Sequence, residues 1–289
     1  MSEALQLLCF EDRQAPFVDT FCRTAKAAGY GVRLERPAAD EPVAFREFRN
    51  FYQHLSPNPL DFELACFRRY FEAACHVADR QRVIIADSDL FVQLGPLDLP
   101  TELQDNADKV WGSIGRSNGI AETDISPHFS SWTGKALGDF CEFCIETYRN
   151  NFGDLEVTHR SRLTGGNSRA SISDMTLFYL WVEREGVAFF DTNRVLGGVY
   201  IDHNISMTEC ANTSFCSEFG RKSLHFNEGK ILIRPDSHED VIPAILHLQG
   251  RYKLISSAVE EGRRIPVAVW SAYIQAGRLA RKVASALGR

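Results

Sequence analysis

The chain has 289 residues, 44% of them hydrophobic and 24% charged, which is enough apolar content for one large α/β domain with a substantial core. Its formal net charge is −6 and its pI is near 5.8, a balance that argues against nucleic acid or an anionic membrane as the main partner. No apolar window approaches the roughly 20 residues of a spanning helix, and the opening MSEALQLLCF carries an acid where a secretory leader carries lysines; a cytoplasmic protein is expected.

Eight cysteines are scattered through the chain, and in a chain this large most should be reduced thiols packed as small hydrophobes. Cys141 and Cys144 have a metal-like spacing, but they fall in the amphipathic stretch LGDFCEFCIETY with no second pair nearby. Buried helix packing is expected there rather than zinc.

In chain order, ALQLLCF reads as a strand, PFVDTFCRTAKAAG as a helix and YGVRLERP as a second strand. This βαβ opening implies a parallel sheet with helices on its faces, and it lacks the GxGxxG turn of dinucleotide-binding dehydrogenases. Residues 37–61, rich in proline and charge, form a connection with a short helical piece. FELACFRRYFEAACHVADRQ has apolar residues three and four apart and predicts a helix leading into the strand RVIIADSDLFV. Irregular connections follow, with a strand near Val110 to Ile114, and then the helix KALGDFCEFCIETYRN. The loop HRSRLTGGNSRASIS, rich in Gly, Ser and Arg, is expected beside a site, ahead of the helix DMTLFYLWVEREG. Short strands VAFFD, VLGGVYID and KILIRP and the run PAILHLQGRYK complete a domain over residues 1–262. A basic amphipathic helix is expected in a C-terminal tail over residues 263–289, where it offers a possible peripheral membrane contact.

The chemically informative stretch is RVIIADSDLFVQLG. Two carboxylates, Asp87 and Asp89, follow a buried apolar run, where repulsion and lost hydration both oppose folding. At alternate strand positions they would face the same way, and in an open α/β sheet ligands collect at the carboxyl ends of strands. A divalent cation removes the repulsion and can link the pair to a diphosphate. Downstream, ILHLQGRYK offers His247 as a nitrogen ligand, Gly250 for close backbone approach to a phosphate, and Lys253 as a compact positive charge.

Together these segments resemble the GT-A superfamily of nucleotide-sugar glycosyltransferases, and in motif its family 8 group of glycogenin-like and bacterial galactosyltransferases. The resemblance spans roughly residues 4–253 and rests on VIIADSDLFV, SDMTLFYLW and HLQGRYK, the last fitting that family's HxxGxxK pattern. It implies a Rossmann-like, mostly parallel sheet flanked by helices. It also implies that Asp87, Asp89 and His247 hold Mn²⁺ or Mg²⁺, and that Gly250 and Lys253 contact the diphosphate of a UDP-sugar or related donor, with Ser88 also among the donor-binding residues. Arg69 or Arg68, on the preceding helix, would reach the donor. Phe10, Glu11 and Asp12, after the first strand, would lie by the base. Asp174 would face the donor sugar as the candidate catalytic acid, although the position after it, a glutamine in many members, is Met175. His128, His203 and His225 fall in the half expected to face the acceptor, a glycan or lipid-linked glycan. Trp132 in SSWTG would either stack on an acceptor sugar or sit in the core.

Three rival functions share some of these features. A nucleotidyltransferase would also use paired acids and a metal, but FEDRQAP is not the glycine-rich basic loop that holds a triphosphate. A haloacid-dehalogenase-like phosphatase would place its DxD on the first strand. A non-catalytic sugar-nucleotide or glycan-binding module would retain the fold without turnover.

Overall fold

The computed structural model describes residues 5–115, 123–166, 170–210, 212–218, 221–236 and 239–262. The expected C-terminal tail, with its basic helix, lies outside the described residues.

The chain begins with strand β1 (Gln6–Phe10), helix α1 (Pro16–Ala27) and strand β2 (Gly31–Glu35), followed by α2 (Val43–Phe51), α3 (Leu60–His76) and β3 (Arg82–Ala86). Pro16 starts α1, where its missing N–H is harmless and its fixed φ suits the first turn. Strands β1 and β2 pair in parallel, and so do β1 and β3. Next come β4 (Leu90–Val92), α4 (Thr101–Asp105), β5 (Val110–Ile114), β6 (Ile125–Ser126) and β7 (Phe129–Thr133). Strand β7 runs antiparallel to β3, completing a sheet of order β2-β1-β3-β7.

This sheet is buried on both faces, as a parallel core requires. Along β1 and β3, Leu8, Val83 and Ile85 enter a cluster with the helix residues Phe67, Tyr70, Phe140 and Phe178. The alternate residues Leu7, Cys9, Ile84 and Ala86 meet Phe21 and Ala25 of α1 on the other side. The helices of the first face are α2, α3, α5 (Gly134–Asn150), α6 (Phe152–Thr164) and α7 (Asp174–Glu185). Cys141 and Cys144 are buried on α5, in keeping with a packing role.

The rest of the domain contains β8 (Phe189–Asp191), β9 (Val195–Leu196), β10 (Val199–Ile201), β11 (Ser217–Glu218), β12 (Arg221–Lys222), β13 (Leu224–Asn227), β14 (Lys230–Ile233) and β15 (Ile242–His247). A 3-10 helix, Gly250–Ile255, leads into α8 (Ser256–Glu260), which reaches α1 through an ion pair between Arg23 and Glu260. A second sheet, of order β4-β15-β10-β9, is mixed.

Three local expectations are corrected, and the alternative left open for Trp132 is decided. Strand RVIIADSDLFV is two strands in different sheets, with Asp87 to Asp89 forming the turn between β3 and β4. VLGGVYID is the hairpin β9–β10, whose turn residues Gly197 and Gly198 both have positive φ, as a tight hairpin turn demands. Most of HRSRLTGG is helix α6, not loop: its polar face is solvated while Leu155 and Arg162 turn inward; residues 167–169 lie outside the described residues. Trp132 belongs to the core, fully buried on β7 and stacked on Trp181 with ring centroids 5.6 Å apart.

Candidate metal and donor site

The site forms where the two sheets meet. The first sheet delivers Asp87 at the end of β3, and the turn brings Asp89 to the start of β4. Strand β15 lies antiparallel to β4 in the register that sets His247 opposite Leu90. The N–H of Leu248 donates to the carbonyl of Asp89 at 3.0 Å, and the N–H of Asp87 to the carbonyl of His128 at 2.9 Å. Backbone pairing thus brings together residues about 160 positions apart in sequence.

One ligand atom from each of Asp87, Asp89 and His247 lies within 4.8 Å of the others. Nε2 of His247 sits 3.3 Å from Oδ1 of Asp89 and 3.7 Å from Oδ2 of Asp87, yet it is buried and makes no hydrogen bond to a described residue. Nδ1 of the same ring donates to the carbonyl of His203 at 2.6 Å. Such an outer hydrogen bond fixes the ring and leaves Nε2 as the nitrogen for a cation. Burial alone would strip the imidazole of its proton, but Asp89 and then Asp87 outweigh it and push its pKa up to about 9. Burial likewise works to raise the Asp89 carboxyl; His247 and Lys253 overcome it and hold the group well below the usual carboxylate range. An orphaned imidazole nitrogen beside two carboxylate oxygens, a mixed N/O set, fits a divalent ion such as Mn²⁺ or Mg²⁺.

Charged groups surround this centre. Nζ of Lys253, on the 3-10 helix, lies 3.0 Å from Oδ2 of Asp89. Gly250 opens that helix with φ of +64° and nothing within 4 Å of a would-be Cβ, so a side chain there would be strained although space is open. On α3, Arg69 divides its guanidinium between Oδ1 of Asp87 at 2.7 Å and Oδ2 of Asp174 at 2.5 Å. Arg68 instead pairs with Glu72 at 2.8 Å. Asp174 is buried at the start of α7 and also accepts from the hydroxyl of Tyr70 at 3.2 Å.

In the loop after β1, Phe10 is half-buried against the helical face of the core and Asp12 is exposed. Glu11 is buried, with both oxygens engaged: Arg13 donates from Nε at 2.7 Å and Nη2 at 2.5 Å, and Ser88 from Oγ at 2.6 Å. Ser88 therefore faces the loop after β1.

Two further arrangements lie beside the site. Asp202 and Lys222 form a fully buried pair at 2.6 Å, and the other Asp202 oxygen accepts the backbone N–H of His247 at 3.1 Å. His128 stacks flat on His247, with centroids 4.7 Å apart and planes 4° from parallel, while His203 meets His128 edge-on. Burial lowers both pKa values, that of His203 to about 3. His225 is placed elsewhere, on the β13–β14 hairpin, where it bonds to Ser223.

No protein-family model matches the sequence, and no curated protein matches it. Among solved structures, the chain is similar to the galactosyltransferase LgtC in complex with donor and acceptor sugar analogues: 12% identity, TM-score 0.46, over 91% of this chain and 98% of that one. It is also similar to mouse xyloside xylosyltransferase 1 in its apo form: 11% identity, TM-score 0.38, over 65% of this chain and 84% of that one. Among the described residues, no helix is long and apolar enough to cross a membrane.

Proposed function

We propose that the protein is a metal-dependent glycosyltransferase of the GT-A kind, moving a sugar from a nucleoside-diphosphate donor, UDP being the favoured base, to a glycan or lipid-linked glycan. The observation that carries this is the convergence of Asp87, Asp89 and the buried Nε2 of His247, with Lys253 beside Asp89, at the carboxyl end of β3. A lone pair of strand-end acids would not bring a buried imidazole and a lysine from the far end of the chain.

Asp87, Asp89 and His247 would hold the cation. When bound, it supplies positive charge that offsets the charge growing on the departing diphosphate. Lys253 adds a fixed ammonium for the same charge, most valuable when bond breaking concentrates it on the leaving group. Gly250 leaves the backbone of the 3-10 helix open to phosphate approach. Arg69 clamps Asp87 and Asp174 in one geometry, so a donor anchored at the first is oriented relative to the second. Asp174 is the acid proposed to face the donor sugar.

Calorimetric titration of nucleoside diphosphates and nucleotide sugars, with and without Mn²⁺, tests the donor site. Manganese-dependent binding of one nucleoside diphosphate, lost in Asp89→Ala, is expected; binding of none, or binding indifferent to metal and substitution, removes the reading. Release of free sugar from the bound donor separates an enzyme from a non-catalytic binding module.

A further inference from the structure

We infer that Arg13 is a second fixed cation for the phosphates of the donor, supplied by the loop after β1 and held in place by Glu11. This assignment rests on the donor-binding reading above and adds a residue that neither the aspartate turn nor the HLQGRYK segment contains.

The geometry is that of an arginine clamped on one side and open on the other. Glu11 is buried, while the Arg13 side chain is 58% exposed. The carboxylate takes Nε and Nη2 of Arg13 and also its backbone N–H, at 2.9 Å, a bidentate fork that leaves little rotational freedom. Nη1 makes no hydrogen bond to a described residue and remains available to a ligand. Ser88, the central residue of the aspartate turn, donates to the same carboxylate, so the arginine is tied mechanically to the turn that carries Asp87 and Asp89.

Arg13 also shares a surface with Lys253. Its guanidinium carbon lies 5.4 Å from the centroid of the Phe17 ring, and Nζ of Lys253 lies 4.8 Å from the same centroid. Two cations from opposite ends of the chain are thus gathered on one aromatic face beside Asp89. Each is balanced by its own carboxylate, Glu11 for Arg13 and Asp89 for Lys253, so the arriving anion meets two cations already held in place.

The charge balance supports the assignment. Asp87, Asp89, Asp174 and Glu11 face Arg13, Arg69 and Lys253 across the site. A divalent ion on the aspartates would leave a net positive site matched to a diphosphate ester, and Lys253 would lose Asp89 as a counter-charge. Arg69 remains committed to Asp87 and Asp174, which makes Arg13 the further cation with a free edge.

The test compares wild type with Arg13→Gln, Arg13→Lys and the double variant Glu11→Gln/Arg13→Gln, which avoids leaving Glu11 buried without a partner. Each is titrated with Mn²⁺ alone, then with UDP and with inorganic pyrophosphate in the presence of Mn²⁺. The expected result is unchanged affinity for Mn²⁺, with UDP and pyrophosphate bound about tenfold more weakly in both glutamine variants and partial recovery in Arg13→Lys. Unchanged UDP and pyrophosphate affinities would overturn the inference, as would an equal loss of Mn²⁺ binding, which would reduce Arg13 to a support for the turn. If wild type binds Mn²⁺ but neither phosphate probe, the donor reading fails first and the role of Arg13 falls with it.

Discussion

Nδ1 of His247 is tied to the carbonyl of His203 at 2.6 Å, so any proton this ring gives up leaves from Nε2, the atom that faces Asp87 and Asp89. Because the three ligand atoms converge only in the folded chain, a cation that binds them stabilises the native state by mass action, by about 2.7 kcal/mol at a hundredfold excess over its dissociation constant. Mn²⁺ should therefore raise the thermal midpoint, and EDTA should return it to its starting value. His247→Gln and Asp89→Asn should show no metal-dependent shift in differential scanning fluorimetry.

Arg69 spans Asp87 and Asp174 with one planar group, a geometry that lysine cannot reproduce. Under the proposed function, Arg69→Lys should retain the fold and cation binding but lower donor turnover, because Asp174 would no longer be fixed relative to Asp87. Loss of one charged hydrogen bond of this kind is worth about 1.5–3 kcal/mol, roughly a 10- to 100-fold fall in kcat/KM. An activity unchanged from wild type would remove Arg69 from the site's machinery.

The buried pair of Asp202 and Lys222 holds the backbone of His247, through the bond from its N–H to Asp202. Lys222→Met strands the Asp202 carboxylate in the interior, and removal of one partner of a buried pair costs about 3–5 kcal/mol. The double variant Asp202→Asn/Lys222→Met should be more stable than Lys222→Met alone. Urea unfolding of the two variants gives the comparison directly, and equal stabilities would show that the pair is not coupled.

Glu11 gives a pH signature. Burial raises its pKa, but the hydrogen bonds from Arg13 and Ser88 prevail and bring it from 4.5 down to about 2. A carboxyl with a depressed folded-state pKa contributes stability that is complete above its unfolded value and is lost as pH falls toward the folded one. Stability should thus decline between about pH 4.5 and pH 2, and Glu11→Gln should flatten that part of the acid-unfolding curve. Arg13 is more than half exposed, so solvent screening keeps the effect modest.

Local pattern carried the opening βαβ unit, β5, α5 and α7, because each is an apolar or amphipathic stretch bounded by polar, glycine or capping residues. The aspartate turn differs from the single strand expected because the apolar runs VIIA and LFV flank only three polar residues, Asp87 to Asp89, and nothing local marks where a chain leaves one sheet for another. Helix α6 escaped because only Leu155 and Arg162 turn inward from it, too few for an apolar stripe. Within the site, the acids, His247, Gly250 and Lys253 were legible because their types and spacing suit one chemistry. The clamp of Glu11 on Arg13 was within reach, two residues apart, but a strand-to-helix turn gives such a pair no special meaning. Asp202 and Lys222 meet across an irregular stretch with no period to betray them, and only the fold puts them behind His247.

The pairing of β4 with β15 has a consequence for synthesis on the ribosome. The first sheet has all its strands once β7 has emerged, but β4, a wholly apolar triplet, finds no strand partner until Ile242–His247 follows. At roughly 5–20 residues per second, its edge waits several seconds to half a minute for cover. Over that interval β4 rests on α1, where Thr24 accepts the N–H of Val92, and the charge of the adjoining aspartates discourages mispairing along its open edge.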